Sequence, residues 1–169
     1  MQSAAGFSHR SDFLRTARTA LVVDDNSTLR YVLARLARLA GFEILEANDG
    51  ASALELALKK LPNVIVADVR LPGFDGFELC RRVKADSSAK KIPIILVTSM
   101  YYESAVDSRA LAAGKSKAQG LGAVDLLPRG EAVEKLAELL RRVVGGRGPA
   151  KKKTAAKRPL AKKPAKNKV

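Results

Sequence analysis

The sequence predicts an α/β fold in which a parallel sheet is covered by helices on both faces. Short apolar runs alternate along the chain with longer stretches whose apolar residues recur at helical spacing. The short runs are expected to be strands buried on both faces of the sheet, because they are apolar at nearly every position. Carboxylate or hydroxyl side chains follow three of these runs directly. A chain of 169 residues suits one domain of ordinary size with extensions.

The predicted strands and helices alternate in order along the chain. Strands are expected at residues 20–23, 42–47, 64–67, 94–97 and 123–127. Asp25, Asn26 and Ser27 offer N-caps for the first helix, which Gly41 ends, and Pro62 ends the second. The third helix is expected at residues 76–84, and the fourth from about residue 103. The last is expected at residues 131–144, with an inward face of Val133, Leu136, Leu140 and Val143.

Asp68 is the strongest candidate for a residue that carries chemistry. It directly follows the apolar run at residues 64–67, and a turn rich in Pro and Gly begins three residues later. Asp68 is therefore expected at the carboxyl end of a buried strand, where ligands bind in open parallel sheets. An aspartate at such a position would equally serve as a helix cap or a turn former, so the assignment needs further support.

Two other strand ends supply that support. Asp24 and Asp25 follow the first apolar run, and Thr98 and Ser99 follow the fourth. If all of these residues meet Asp68 at one edge of the sheet, they form a cluster of oxygen atoms. Neighbouring carboxylates repel each other strongly, so the cluster requires a cation. A hard divalent ion with oxygen ligands, and magnesium above all, fits that requirement.

These stretches, in this order and close to this spacing, resemble the receiver domains (CheY-like) of bacterial two-component response regulators. The resemblance rests on the acidic pair Asp24 and Asp25, on Asp68 with the turn at residues 71–76, and on the run at residues 93–99. It covers roughly residues 19–144. It implies the flavodoxin-like, doubly wound five-stranded sheet of order 2-1-3-4-5 with about five helices, in which strands one and three lie side by side.

The resemblance also implies a function and a role for each site residue. Asp68 would accept a phosphoryl group from a phosphohistidine of a sensor histidine kinase or a phosphotransfer protein. Asp25, Asp68 and the backbone carbonyl of Arg70 would ligate magnesium, and Asp24 would act largely through water. Thr98 would donate a hydrogen bond to a phosphoryl oxygen. The protein would then be a signalling phosphoacceptor rather than an enzyme, with only self-catalysed phosphoryl transfer and autodephosphorylation.

The sequence departs from the family pattern after the fifth strand. The family places a lysine followed by a proline there, with an aromatic residue three positions before the lysine. In this chain Arg129 stands at the lysine position, Gly130 at the proline and Leu126 at the aromatic residue. Residues 115–120 are interpreted as an insertion. Met100 offers no strong hydrogen bond to an attacking water. Together these changes predict a long-lived phosphorylated state with a conformational change that is modest or rerouted compared with the usual receiver.

Two other classes of protein compete with this interpretation. The segment at residues 24–28 resembles the aspartate-nucleophile loop of haloacid-dehalogenase-type phosphatases. In that family the second acid would fall at Asn26, which cannot act as an acid, and the motif around Asp68 would have no role. A flavodoxin would share the fold, but the chain lacks a phosphate-cradling loop of Thr, Ser and Gly, and fold alone does not define function.

The basic charge of the chain is concentrated at its C-terminal end. The net charge is +14, and residues 145–169 contain ten basic and no acidic residues, so residues 1–144 carry the remaining +4. This composition of Lys, Ala and Pro predicts a disordered tail, and it resembles the tails of linker-histone-like nucleoid proteins. Residues 147–168 would attract nucleic acid or another polyanion without sequence preference. The alternatives are a solvated tail that only aids solubility, or one that binds an acidic protein or an anionic membrane. A pseudo-receiver, or a nucleoid protein acting mainly through this tail, is therefore the alternative function.

The remaining features concern the location and the organisation of the chain. Cys80 is the single cysteine, which excludes an internal disulfide and agrees with a reducing, cytoplasmic environment. No apolar run approaches the roughly 18–20 residues that span a membrane. Three segments are predicted: a flexible extension at residues 1–18, a receiver domain at 19–144 and the tail at 145–169. The oligomeric state, including a homodimer, stays open.

Overall fold

A computed structural model describes residues 18–98 and 108–143. The described part of the chain alternates five strands with five helices, as predicted. The strands are β1 (Arg18–Val23), β2 (Phe42–Ala47), β3 (Val64–Asp68), β4 (Ile94–Thr98) and β5 (Asp125–Pro128). The helices are α1 (Ser27–Leu39), α2 (Gly50–Lys60), α3 (Gly76–Ala85), α4 (Ser108–Gly120) and α5 (Arg129–Val143). In these residues, no helix is long and apolar enough to cross a membrane.

The five strands form one parallel sheet in the order β2-β1-β3-β4-β5, which confirms the predicted doubly wound topology. One core cluster lies between the sheet and helices α2, α3 and α4. A second cluster lies on the opposite face, where α1 and α5 pack. Strands β3 and β4 are buried at every position, because helices cover both of their faces.

Local signals predicted several element ends correctly. The Asn26 side chain accepts a hydrogen bond from the Leu29 amide at 3.1 Å, so Asn26 is the N-cap of α1. Helix α1 ends at Leu39, two residues before Gly41, whose φ of 91° lies in the left-handed region. Helix α2 ends at Lys60, two residues before Pro62.

The prediction for the last helix was partly wrong. Val133 was predicted to face inward, but it is 53% exposed. Helix α5 begins at Arg129 rather than at residue 131, directly after β5, and its buried stripe consists of Ala132, Leu136, Leu139 and Leu140. The residues interpreted as an insertion, 115–120, form the C-terminal turns of α4. Several predictions lie outside the described residues: Ser99, Met100, the start of α4, residue 144, and the segments 1–17 and 145–169.

Candidate functional site

The register of the sheet brings the predicted polar residues to one edge. Val23 pairs with Ala67, so Asp24 follows β1 beside Asp68 at the end of β3. Asp68 in turn pairs with Val97, so Thr98 lies one residue further along β4. Thr98 pairs with Pro128, and Arg129 follows immediately. Because all of these strands run in the same direction, their carboxyl ends meet around one crevice.

Three carboxylates form the centre of this crevice. Asp24, Asp25 and Asp68 each offer an oxygen atom within 4.8 Å of the others. Asp24 is fully buried and Asp68 is 2% exposed, whereas Asp25 is exposed to solvent. They lie at or beneath a cleft of about 490 Å³, which is lined by Asp25, Asn26, Asp68, Arg70, Leu71, Pro72 and Arg129. The predicted site therefore combines two buried carboxylates with an exposed carboxylate in the wall of the cleft.

Short hydrogen bonds hold Asp24 in place. Its Oδ1 atom accepts a hydrogen bond from the Asn26 amide at 2.9 Å. Its backbone carbonyl accepts one from Nη1 of Arg30 at 2.7 Å. Sequence reasoning missed Arg30, because nothing in the spacing of α1 indicates that one of its arginines turns back to the end of β1.

Arg129 lies between two of the carboxylates. Its Nη2 atom is 3.4 Å from Oδ2 of Asp24 and 3.3 Å from Oδ1 of Asp68. Only the contact with Asp24 has hydrogen-bond geometry. Among the described residues, Oδ1 of Asp68 and Nε of Arg129 are buried side-chain atoms that lack a hydrogen-bond partner. An unsatisfied carboxylate oxygen beside two more carboxylates matches the oxygen ligands that magnesium prefers, so these residues fit a hard divalent cation.

Burial and mutual repulsion disfavour the charged form of these acids. Burial, assisted by the negative charge of Asp24, raises the pKa of Asp68 from 3.8 to about 6, although the Arg129 guanidinium opposes the shift. Burial also raises the pKa of Asp24, against the hydrogen bond from the Asn26 amide and the charge of Arg129. One arginine therefore compensates only part of the cost of two buried carboxylates.

This raised pKa predicts a pH-dependent stability in metal-free buffer. The folded protein holds the proton of Asp68 more tightly than the unfolded chain, so protonation stabilises the fold. The stabilisation is complete below pH 3.8 and is lost as the pH rises through about 6. With EDTA present, the wild type should lose about 3 kcal/mol relative to Asp68→Asn between pH 3.8 and 7, as measured by urea unfolding. Parallel stability curves for the two proteins would contradict the shift, and saturating magnesium should reduce the difference at pH 7.

Thr98 and Arg70 line two different cavities at this edge of the sheet. Thr98 is buried at the end of β4, and it lines a neighbouring cavity together with Leu126. Arg70 is exposed and lines the acidic cleft. The residues that the sequence singled out therefore converge as predicted, except for Ser99 and Met100, which lie outside the described part of the chain.

Gly76 is a residue whose importance sequence reasoning missed. A Cβ atom at this position would lie 2.4 Å from the backbone carbonyl oxygen of Asp68. The Gly76 amide donates a hydrogen bond to the Val69 carbonyl at 2.8 Å, and Asp75 caps α3 by accepting from the Glu78 amide at 2.7 Å. Helix α3 thus begins against the backbone of the phosphoacceptor candidate. The sequence signal was the glycine directly after the cap, which indicates a close approach of two backbone segments.

The comparisons with known proteins agree with this geometry. The family model of the response regulator receiver domain matches residues 20–141, and the chain belongs to that family. Among solved structures, the chemotaxis response regulator CheY4 of Vibrio cholerae is 31% identical with a TM-score of 0.64, and the match covers 76% of this chain and 99% of CheY4. The receiver domain of the sensor histidine kinase PA1611 of Pseudomonas aeruginosa PAO1 is 25% identical with a TM-score of 0.63. This match covers 77% of this chain and 99% of that receiver domain, which was solved with a magnesium ion coordinated in its active site cleft.

This chain matches only part of the length of two curated relatives. The phosphate regulon transcriptional regulatory protein PhoB of Pseudomonas aeruginosa is 34% identical over 134 residues, which cover 78% of this chain and 54% of PhoB. The response regulator PleD of Caulobacter vibrioides is 38% identical over 85 residues, which cover 50% of this chain and 18% of PleD. The similarity therefore concerns the receiver domain that this chain shares with larger proteins.

Proposed function

We propose that this protein is a phosphoacceptor in a two-component phosphorelay, and that Asp68 takes a phosphoryl group from a phosphohistidine of a sensor histidine kinase or a phosphotransfer protein. The observation that carries the proposal is the buried Oδ1 atom of Asp68, which has no hydrogen-bond partner among the described residues and lies beside the acidic cleft. One carboxylate oxygen of Asp68 attacks the phosphorus atom, the other remains for the cation, and the bond between phosphorus and the imidazole nitrogen breaks. The bonding electrons return to the nitrogen, and an acyl phosphate remains on Asp68.

A magnesium ion at this site neutralises charge on the phosphoryl oxygens when it is bound. Asp25, Asp68 and the backbone carbonyl of Arg70 are the proposed ligands, and Asp24 contributes through a water molecule. Support comes from the mutual approach of the three carboxylates within 4.8 Å and from the place of Arg70 in the cleft wall. Every proposed ligand is an oxygen atom, as a hard cation requires.

Arg129 and Thr98 complete the proposed phosphoryl site. The guanidinium of Arg129 already reaches Asp68, and its buried Nε atom lacks a hydrogen-bond partner in the described residues, so it offers a further donor to a phosphoryl oxygen. Thr98 offers its hydroxyl group from the adjacent strand. A planar arginine fork holds two oxygens at once, which favours a long-lived phosphorylated state.

The test is phosphorylation of the full chain by a small phosphodonor. Incubation with magnesium and acetyl phosphate should produce one phosphoryl adduct in the intact mass, and addition of EDTA should prevent it. A chain that acquires no adduct at any concentration of donor or metal would be a pseudo-receiver instead. Because the protein is a signalling acceptor, it should not turn over the donor beyond slow autodephosphorylation. Histidine kinases consume ATP, so we propose that the chain works in the cytoplasm.

A second proposal concerns the basic tail, which lies outside the described residues. Its ten basic residues, without an acidic one, support non-specific attraction to nucleic acid or another polyanion. The full chain should bind duplex DNA weakly and without sequence preference, whereas a truncation to residues 1–146 should not. The logarithm of the affinity should fall with the logarithm of salt concentration by roughly 0.9 for each phosphate contact. Equal binding by both chains in a fluorescence anisotropy titration would show that the tail is not responsible.

A further inference from the structure

Arg30 is a cation that lies beside the carboxylates of the proposed magnesium site. It belongs to the N-terminal part of α1, and its side chain is only 21% exposed. A positive charge close to a metal site repels the metal ion, so electrostatics alone would make Arg30 weaken magnesium binding. The hydrogen bonds of its guanidinium group indicate the opposite effect, because they hold the segment that carries two of the carboxylates.

The guanidinium group of Arg30 connects this segment to β2. Its Nη1 atom donates to the backbone carbonyl of Asp24 at 2.7 Å, and its Nε atom donates to Oε2 of Glu46 at 3.4 Å. Glu46 lies on β2, opposite Val22 in the register of the two strands. The Asp24 amide is also bound to β2, because it donates to the Ala47 carbonyl at 3.3 Å. Both backbone polar groups of Asp24 are therefore held to β2, one directly and one through Arg30.

The hydrogen bond from Arg30 also fixes the direction in which the chain continues to Asp25. The Asp24 carbonyl belongs to the peptide group that links Asp24 to Asp25, and a peptide group is planar. Because this carbonyl is held, the peptide plane cannot rotate freely, and the Cα atom of Asp25 is held with it. Asp25 is exposed to solvent and lines the acidic cleft. The position of this proposed magnesium ligand therefore depends on Arg30.

We propose that Arg30, held by Glu46, is a positioning residue of the magnesium site, and that it strengthens magnesium binding although it is itself a cation. The inference rests on the proposed function. The segment with Asp24 and Asp25 is ordered before the metal ion binds, so binding does not carry the cost of ordering it. Hydrogen bonds that orient metal ligands commonly contribute a factor of about ten or more to the metal affinity.

The experiment compares magnesium binding by the full-length wild type, Arg30→Met and Arg38→Met. Arg38 is the matched control, because its Nη2 atom donates to Oε1 of Glu46 at 3.3 Å, about two turns further along α1 than Arg30. Among the described residues, Arg38 makes no hydrogen bond to Asp24. Both variants lose one positive charge and one partner of Glu46, and methionine has a helix propensity close to that of arginine.

Urea unfolding at increasing magnesium concentration gives the dissociation constant, because a metal ion that binds only the folded state stabilises it. The dissociation constant should rise about tenfold in Arg30→Met. It should stay within about twofold of the wild-type value in Arg38→Met, whose exposed charge is screened by salt. A purely electrostatic role would instead make both variants bind magnesium more tightly.

Two further measurements distinguish positioning from a general loss of structure. The Asn26 amide donates to Oδ1 of Asp24, so its hydrogen exchange should become faster in Arg30→Met and stay unchanged in Arg38→Met. With acetyl phosphate, Arg30→Met should need about tenfold more magnesium for half-maximal adduct formation. At saturating magnesium it should reach the wild-type rate, because Asp68 and Arg129 are unchanged.

A second pair of variants tests the same contact with Arg30 left in place. Glu46→Met removes the carboxylate that holds Nε of Arg30, so it should also weaken magnesium binding. Glu43→Met removes the same charge from an exposed position of β2 and should bind magnesium like the wild type.

Magnesium binding by Arg30→Met that is as tight as in the wild type, an equal loss in Arg38→Met, or wild-type binding by Glu46→Met would overturn the inference. The proposed function would remain intact in each case, provided that the wild type acquires its adduct. A wild type that neither binds magnesium nor acquires an adduct would overturn the proposed function, and the inference with it.

Discussion

Replacing Asp68 with asparagine is expected to abolish the phosphoryl adduct completely. Asparagine keeps the size of the side chain but has no nucleophilic carboxylate oxygen, and its amide is a poor magnesium ligand compared with a carboxylate. The buried Oδ1 atom of Asp68 is also the oxygen that Arg129 approaches to 3.3 Å. Intact mass after incubation with magnesium and acetyl phosphate should therefore show only unmodified protein, at every time and donor concentration at which the wild type is modified.

The matched control for this variant is Asp86→Asn. Asp86 follows α3, outside the site, and accepts hydrogen bonds from the Ser88 and Ala89 amides. Its replacement makes the same chemical change as Asp68→Asn at a position away from the acidic cluster. Its adduct should equal that of the wild type. If Asp68→Asn still gained a phosphoryl group, another residue would be the acceptor, and peptide mass analysis would identify it.

Replacing Gly76 with alanine should destabilise the protein strongly, although it adds only one methyl group. The added Cβ atom would lie 2.4 Å from the carbonyl oxygen of Asp68 and 3.1 Å from the Cα atom of Val69. Both obstacles are backbone atoms, so no side-chain rotation relieves the overlap, and either α3 or the end of β3 must move. Overpacking of this kind costs about 3 kcal/mol, which urea unfolding would measure as a lower midpoint at unchanged slope.

Gly120→Ala is the matched control for this change. A Cβ atom at Gly120 would meet nothing within 4 Å, and Gly120 ends α4 without a positive φ. Its replacement should be neutral or stabilise the protein by about 0.5 kcal/mol. The Gly76 variant should also be phosphorylated more slowly wherever it remains folded, because the displaced backbone carries Asp68. Equal stability of the two variants would show that α3 can shift at little cost.

The order of strands and helices, and the residue at the centre of the site, follow from local features of the sequence. Strands buried on both faces must be apolar throughout, and therefore the runs before Asp24, Asp68 and Thr98 are recognisable without a structure. Caps such as Asn26 act on amides two or three residues away, so their effect is also local. The convergence of the acids could be predicted because it requires only parallel strands and the implied strand order.

Contacts between distant elements depended on the tertiary structure. Helical spacing indicated that one face of α5 is buried, but the rotation of the helix on the sheet decides between neighbours, and Ala132 rather than Val133 packs inward. Arg129 meets Asp24 across 105 residues of sequence, and no local pattern determines that distance. The same holds for Lys117 over Phe77, which depends on the relative position of two helices. Periodicity shows that a helix has a buried face. The rotation, packing angle and translation of each element decide which side chains form that face and which of them meet, because these are set only when all of the elements pack together.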